Sequence, residues 1–288
     1  MIKKTILLLK EKSALPITYL ADVMALAWMA AGHRVIHHEG PFNPPSADVL
    51  FLHVNQTLVP EEYANCVSKY PVAINGRVFD ISRKRYSSIK LEKDCRYDGP
   101  VIVKTDKNYG GVPEHRSSFK LFSLASRMLK PPQIHRWRGI TNSWGRLSSL
   151  DPLEYPIFNS MQDVPLSVWN NHHLIVEKFI PEREKGLYFV RYWTFLGNVS
   201  LSGRYGCPHP IVKFRRCVTK ITPVDIPEEL ISLREQLKMD YGRFDYVMHE
   251  GKPVVLDVNK TQAAGPLTDE TRKQVETLSA GIYFYLKG

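Results

Sequence analysis

Over about its first 80 residues the chain alternates short apolar runs with helical patterns, and that alternation admits few folds. Residues 5–9 and 34–37 read as strands, 48–54 as the near-continuous apolar run of a strand covered on both faces, and 72–74 as a fourth short strand. Between them, residues 17–31 read as a helix that Gly32 ends in the left-handed conformation, and Pro60 opens a second helix through Lys69. Strands and helices in this order pack as a parallel sheet with helices on its faces. Ligands of such a sheet sit beyond the carboxyl ends of its strands, which makes His53, Asn55, Gln56, Thr57, Asn75, Gly76 and Arg77 the substrate-side candidates. The run Asn55-Gln56-Thr57 also suits a plain cap on the turn into the helix at Pro60.

The pattern then changes. Residues 101–104 form a short β-branched strand, 117–128 a helix, and 174–180 another strand. The stretch 131–156 is rich in Pro, Gly, Ser and Arg and reads as a mobile excursion. Strand runs at 188–196 and 199–205 meet at Gly197-Asn198, a signal for a tight hairpin. A helix at 227–238, a second hairpin from 243–249 and 253–259, and a closing helix at 269–286 complete the chain. The expected fold class is α/β followed by α+β.

The formal net charge of +10 implies attraction to anions such as phosphates, carboxylates, RNA or acidic lipid. Lysines and arginines are dispersed with no block of five or six, which argues against a nucleic-acid arm. Cys66, Cys95, Cys207 and Cys217 form no C-x-x-C pair and no metal-ligand spacing, a usage that suits a reducing compartment. Lys3-Lys4 before residues 6–9 has the charge order of a signal peptide, but the apolar run stops at Lys10-Glu11-Lys12. The later run 21–31 carries Asp22 and falls short of the roughly 20 residues that a membrane span needs. The expectation is a soluble, cytoplasmic protein.

The residues with most chemical content lie in the second hairpin. If Glu250, Gly251 and Lys252 form a three-residue loop, Asp245 lies opposite Asp257, and Asn259 shares their face because strand side chains alternate. Opposed carboxylates with Cβ atoms about 5 Å apart repel unless a cation neutralises them, and oxygen-only ligands suit Mg²⁺. The same pattern also describes polar residues on the solvent face of an edge hairpin. Lys104 ends an apolar strand and precedes Asn108-Tyr109-Gly110-Gly111, where glycines would let backbone N–H groups approach a phosphate. This loop has neither the P-loop nor the dinucleotide spacing, and an ordinary turn fits it too. The strand at 174–180 runs into Glu182, Arg183 and Glu184, so its edge could pair with adenine and its acids with ribose hydroxyls. Tyr188, Tyr192, Trp193 and Phe195 read as core rather than a base-stacking surface, and His209 beside Cys207 as neither metal ligand nor nucleophile.

Taken in order, Val101 to Lys104, the glycine loop, Val176 to Ile180, Arg191 and the Asp245, Asp257, Asn259 hairpin resemble the ATP-grasp superfamily, which includes glutathione synthetase-like and ribosomal-protein glutamate ligase-like carboxylate–amine ligases. The resemblance covers about residues 72–265. It implies a pre-grasp α/β domain at 1–80, a grasp subdomain with the lid loop at 81–180, and a second with the metal site at 181–288. It implies ATP and Mg²⁺ as cofactors. Lys104 would contact the α- and β-phosphates, and Asn108, Tyr109, Gly110 and Gly111 would form a flexible lid. Lys84, or else Arg83, would be the earlier phosphate contact. Glu177, Lys178, Phe179 and Ile180 would form the adenine hinge and Glu184 a ribose ligand. Arg191 would touch the γ-phosphate or an acyl phosphate, Lys213 would be a further basic phosphate contact, and Asp245, Asp257 and Asn259 would hold Mg²⁺.

Two positions depart from the family pattern. Asp257 stands where Glu is usual, and Arg191 lacks an acidic residue two places before it. The implied reaction is ATP-dependent ligation of a small-molecule or peptide carboxylate to an amine, or to a thiol, through an acyl phosphate with release of ADP and phosphate. A kinase acting on a hydroxyl and a non-catalytic ATP-binding regulatory module are the alternatives. A homo-oligomer is left open, and neither membrane nor nucleic acid is an expected partner.

Overall fold

The computed structural model describes residues 2–12, 18–114, 144–265 and 267–287. The parallel sheet expected at the start is formed by β1 (Thr5–Lys10), β2 (Arg34–Glu39), β3 (Val49–His53) and β4 (Val72–Ile74), in the order β2-β1-β3-β4. The two central strands are covered on both faces, which is why their sequences do not alternate. Ile6 and Leu8 face helix α1 (Leu20–Ala30) and its Met24 and Trp28, whereas Leu7 and Leu50 face Tyr63 and Cys66 of helix α2 (Glu61–Val67). Gly32 ends α1 at φ +89°, as the left-handed stop requires. The α1 face also packs on Leu196, Tyr241 and Ile282, so the first sheet shares its core with the far end of the chain.

His53 closes β3 inside that shared core, among Tyr19, Phe51 and Tyr241, and neither ring nitrogen has a hydrogen-bond partner among the described residues. It is a packing residue there. Burial, helped by Lys10, pushes its pKa down to about 3, so the ring is neutral when folded and gains a proton on unfolding in acid. A depressed histidine contributes stability that is fully present above the unfolded pKa and lost as pH falls towards the folded one. Between pH 7 and pH 5 this costs about 2 kcal/mol. In urea titrations across that range, His53→Phe should remove about that much of the acid loss, and an unchanged slope would refute the assignment.

A second sheet holds β5 (Lys90–Leu91), β6 (Val101–Thr105), β7 (Ile157–Phe158) and β8 (Leu174–Lys178), in the order β5-β8-β6-β7 with every pair antiparallel. The helix expected at 117–128 and the first part of the excursion, 131–143, lie outside the described residues. The remainder of that stretch, 144–156, is packed rather than an excursion: Trp144, Leu150 and Tyr155 are buried with Val101 and Val103.

The third sheet has the order β11-β10-β12-β13, with β9 (Glu182–Glu184) on the edge of β10 (Leu187–Leu196). β11 (Val199–Cys207) follows the expected Gly197-Asn198 turn. In the hairpin of β12 (Tyr241–His249) and β13 (Lys252–Asn259), the loop is two residues, not three: His249 pairs with Lys252, and Glu250 and Gly251 take φ +49° and +78°. Both signs suit the type I′ turn that matches the strand twist. Asp245 nonetheless pairs with Asp257, because Tyr246 pairs with Val255 and leaves Leu256 as a β-bulge. The closing helix runs Asp269–Ser279 and continues as a 3₁₀ turn, Ala280–Phe284. No described helix is long and apolar enough to cross a membrane.

Candidate functional site

Strand alternation decides which side chains meet between the second and third sheets. On β10, Tyr192 stands opposite Asp245 and Thr194 opposite Arg243; on β13, Asp257 and Asn259 stand opposite Asp245 and Arg243. One face of the third sheet therefore carries Tyr192, Thr194, Arg243, Asp245, Asp257 and Asn259. This face borders a cleft of about 820 Å³, open to solvent, whose other walls are Arg83, Lys104, Tyr155, the run 178–181 and Lys213. A second cavity, about 1250 Å³ together with the solvent at its open mouth, meets the first at Lys213, Asp245 and Asp257.

The bulge shapes the junction. An unpaired strand residue has a carbonyl released from the ladder, and that of Leu256 accepts from Arg83 Nη1 and lies 3.5 Å from Lys104 Nζ. Arg83 Nη2 also donates to Asp257 Oδ1 at 2.9 Å. Helix α3 (Arg83–Tyr86) sends Arg83 inward, buried, and Lys84 outward to the His172 carbonyl and Asp106. Of the two residues weighed as the earlier phosphate contact, Arg83 lines the cleft and Lys84 does not.

Lys104 is buried and forms an ion pair with Glu177 at 2.8 Å, and Ser87 donates to the other carboxylate oxygen at 2.5 Å. Burial would raise the Glu177 pKa, but Lys104 and Arg83 overcome it and hold the carboxyl below its ordinary value. Glu177 thus stands behind the lysine and not at the hinge edge. Along the rest of that run, the Lys178 and Phe179 N–H groups already donate to the Ile89 and Pro100 carbonyls.

The glycine loop is closed and packed. Tyr109, Gly110 and Gly111 all have positive φ, and a Cβ on Gly110 would lie 2.1 Å from the Leu150 carbonyl oxygen. The glycines allow this close approach to residues 148–150, and Tyr109 reaches the second cavity. Thr57 ties down the start of the loop and the residue three past its end: its hydroxyl accepts from Asn108 N, and its N–H donates to Glu114.

Arg191 and Glu184 sit elsewhere than the resemblance implies. Arg191 has the opposite strand parity to Tyr192 and so lies on the far face, held by Glu182 through three hydrogen bonds of 3.0–3.2 Å. The acidic partner absent from its own strand comes from β9. Glu184 is exposed and pairs with Arg204. The arginine on the site face is Arg243, which donates to Asp245 at 2.8 Å and lies over the Tyr192 ring. Sequence reading passed over it, though its position two residues before Asp245 carries the signal. Tyr155, missed within the presumed excursion, had no such signal. Tyr188 and Tyr192 line the cavities, whereas Trp193 and Phe195 are core as expected. Asn55 and Asn75 are structural: Asn75 bonds Asp240 and Tyr241, and Asn55 bonds Glu11, Tyr19 and Thr261.

Asp245, Asp257 and Asn259 fit a hard cation. Each carboxylate has an arginine on Oδ1 while Oδ2 takes no hydrogen bond among the described residues, and the Asn259 Oδ1 accepts from Thr261 N at 2.9 Å with a lone pair left over. No group of three His, Cys, Asp or Glu side chains with metal-holding geometry occurs among the described residues.

A solved structure identifies this arrangement of sheets. A Chryseobacterium gregarium RiPP-associated ATP-grasp ligase, in complex with ADP and a leader and core peptide, matches with a TM-score of 0.50 at 10% identity, covering 96% of this chain and 96% of that one. The chain has the ATP-grasp fold. A RimK-domain ATP-grasp protein from Sphaerobacter thermophilus matches with a TM-score of 0.49 at 12% identity, covering 98% of this chain and 99% of that one. A D-alanine–D-alanine ligase from Bacillus anthracis matches with a TM-score of 0.46 at 11% identity, covering 99% of this chain and 97% of that one. No protein-family model matches the sequence, and no curated protein matches it. At these identities the likeness is one of ATP-grasp fold alone, so residue roles rest on the geometry above.

Proposed function

We propose that this protein is an ATP-dependent ligase that activates a carboxylate as an acyl phosphate and passes the acyl group to an amine, or to a thiol. The observation that carries the reading is the convergence of Arg83, Lys104, Lys213 and Arg243 on two facing carboxylates, at the point where two cavities meet. Four cations face three carboxylates, Asp245, Asp257 and the Glu177 that pairs with Lys104, which leaves a net positive charge for phosphate groups. ATP fills the first cavity, with adenine at the Ile180 backbone and its phosphates towards Lys104 and Arg83. Asp245, Asp257 and Asn259 would hold Mg²⁺, which when bound neutralises phosphate charge and fixes its geometry. The substrate carboxylate enters from the second cavity, between Lys213 and Arg243, and its oxygen attacks the γ-phosphorus as ADP leaves. The amine then attacks the acyl carbon and expels phosphate. No protein nucleophile is needed, because positioning and charge neutralisation carry the rate.

The test combines the protein with Mg-ATP, a panel of carboxylates and hydroxylamine as a trapping amine. Hydroxamate should form together with ADP. A stable phosphorylated product without hydroxamate would make the protein a kinase. ATP affinity without ADP release across the panel would make it a binding module.

A further inference from the structure

Among the described residues, the second cavity is charged at one end only. Its charged side chains are Lys213, Arg243, Asp245 and Asp257, all at the junction with the first cavity. The helix Asp269–Ser279 presents Thr271, Gln274, Val275 and Leu278 to the cavity, spaced along one helical face. Its charged residues Asp269, Glu270, Arg272, Lys273 and Glu276 are all exposed. Thr194 and Gln262 supply further neutral polar atoms, joined to each other at 3.3 Å. Leu201 and Ile221 add apolar wall, set close because Gly203 has no Cβ to hold Tyr192 and Ile221 apart.

Building on the ligase reading, we propose that the activated substrate is a monocarboxylate with an uncharged, amide-bearing body, of the class of an N-acylated amino acid or peptide. Its carboxylate meets Lys213 and Arg243. The amide groups of Gln262 and Gln274 both donate and accept, which matches substrate amides, and the apolar wall takes side chains. Among the described residues an ammonium here has no carboxylate to pair with, since Asp245 and Asp257 stand at the other end. Glu270, felt at the Tyr192 hydroxyl, is exposed and screened by water. A second carboxylate likewise lacks a cation among the described residues. A charge that enters without a partner gives up part of its hydration, so free amino acids and dicarboxylates are disfavoured.

The experiment measures hydroxamate formation with Mg-ATP for three matched probes: an N-acetylated dipeptide, the same dipeptide with a free amine, and an N-acetylated dipeptide with a side-chain carboxylate. The blocked, singly charged probe should exceed each of the others by at least about tenfold in kcat/KM. Gln274→Glu should narrow or reverse the gap to the free-amine probe by supplying its counter-charge. Wild-type turnover of either charged probe equal to the neutral one overturns the inference and leaves the ligase reading standing. If none of the three gives hydroxamate or ADP, the ligase reading falls and this inference with it.

Discussion

Asp257→Asn should lower carboxylate-dependent ADP release by about 10²–10³, the usual loss when one preorganised electrostatic group is removed from a reacting centre. Asp257 acts in two directions: it faces Asp245 across the hairpin and accepts from Arg83. Asparagine keeps the shape and removes one of the two charges that would hold the cation. Arg83 keeps its bonds to the Leu256 carbonyl and the Tyr86 hydroxyl, so the fold should survive. Cation binding should be weak in the wild type without nucleotide, because the protein supplies too few ligands for six-fold coordination, and should rise with ATP. Linkage requires ATP affinity to rise with Mg²⁺ by the same factor. In Asp257→Asn that mutual factor should shrink towards one, measured by calorimetry with each ligand in turn. Full Mg-dependent turnover by the variant would remove the metal assignment.

The hairpin shows how far local pattern reaches. Facing Asp245 and Asp257 were legible from alternation, but through a three-residue loop that does not exist. The two-residue turn would have placed Asp245 out of register had Leu256 not bulged. Nothing near Leu256 announces the bulge, because its carbonyl partners Arg83 and Lys104 are 173 and 152 residues away in sequence. Arg191 is a different case. The register between β10 and β12, which alternation within either strand does not reveal, puts it on the face opposite Asp245, whereas Arg243 lies two residues before Asp245 on the same strand. The polar residues beyond the parallel strands were legible as special, yet their partners, such as Thr261 for Asn55 and Asp240 for Asn75, lie 206 and 165 residues away. Such long-range hydrogen bonds turn apparent ligand contacts into links between the first sheet and the third. The glycine pair was likewise legible as a place of close backbone approach, but the near neighbour in the structure is the chain at 148–150.

Glu177→Ala should destabilise the protein by about 3–5 kcal/mol, the cost of leaving a buried cation without its partner. Lys104 and Glu177 have only 7% and 1% of their side chains exposed, and Arg83 lies within the same field. Glu177 is held below its ordinary pKa, so its contribution is present above the unfolded value of 4.5 and lost as pH falls through the lower folded one. Lys104→Ala strands the carboxylate instead and should cost a similar amount, so loss of ATP affinity in that variant alone would not separate a nucleotide contact from a damaged fold. The double variant Lys104→Met, Glu177→Met does separate them. Replacing both charges by apolar groups of similar volume is often nearly neutral, so stability should recover to within about 1 kcal/mol of the wild type. ATP affinity should not recover, because a charge-assisted phosphate contact is worth about 1.5–3 kcal/mol and methionine cannot make one. Denaturant titration and calorimetry on the same three proteins read the two effects independently. A double variant with wild-type stability and wild-type ATP affinity would leave Lys104 as the partner of Glu177 and nothing more.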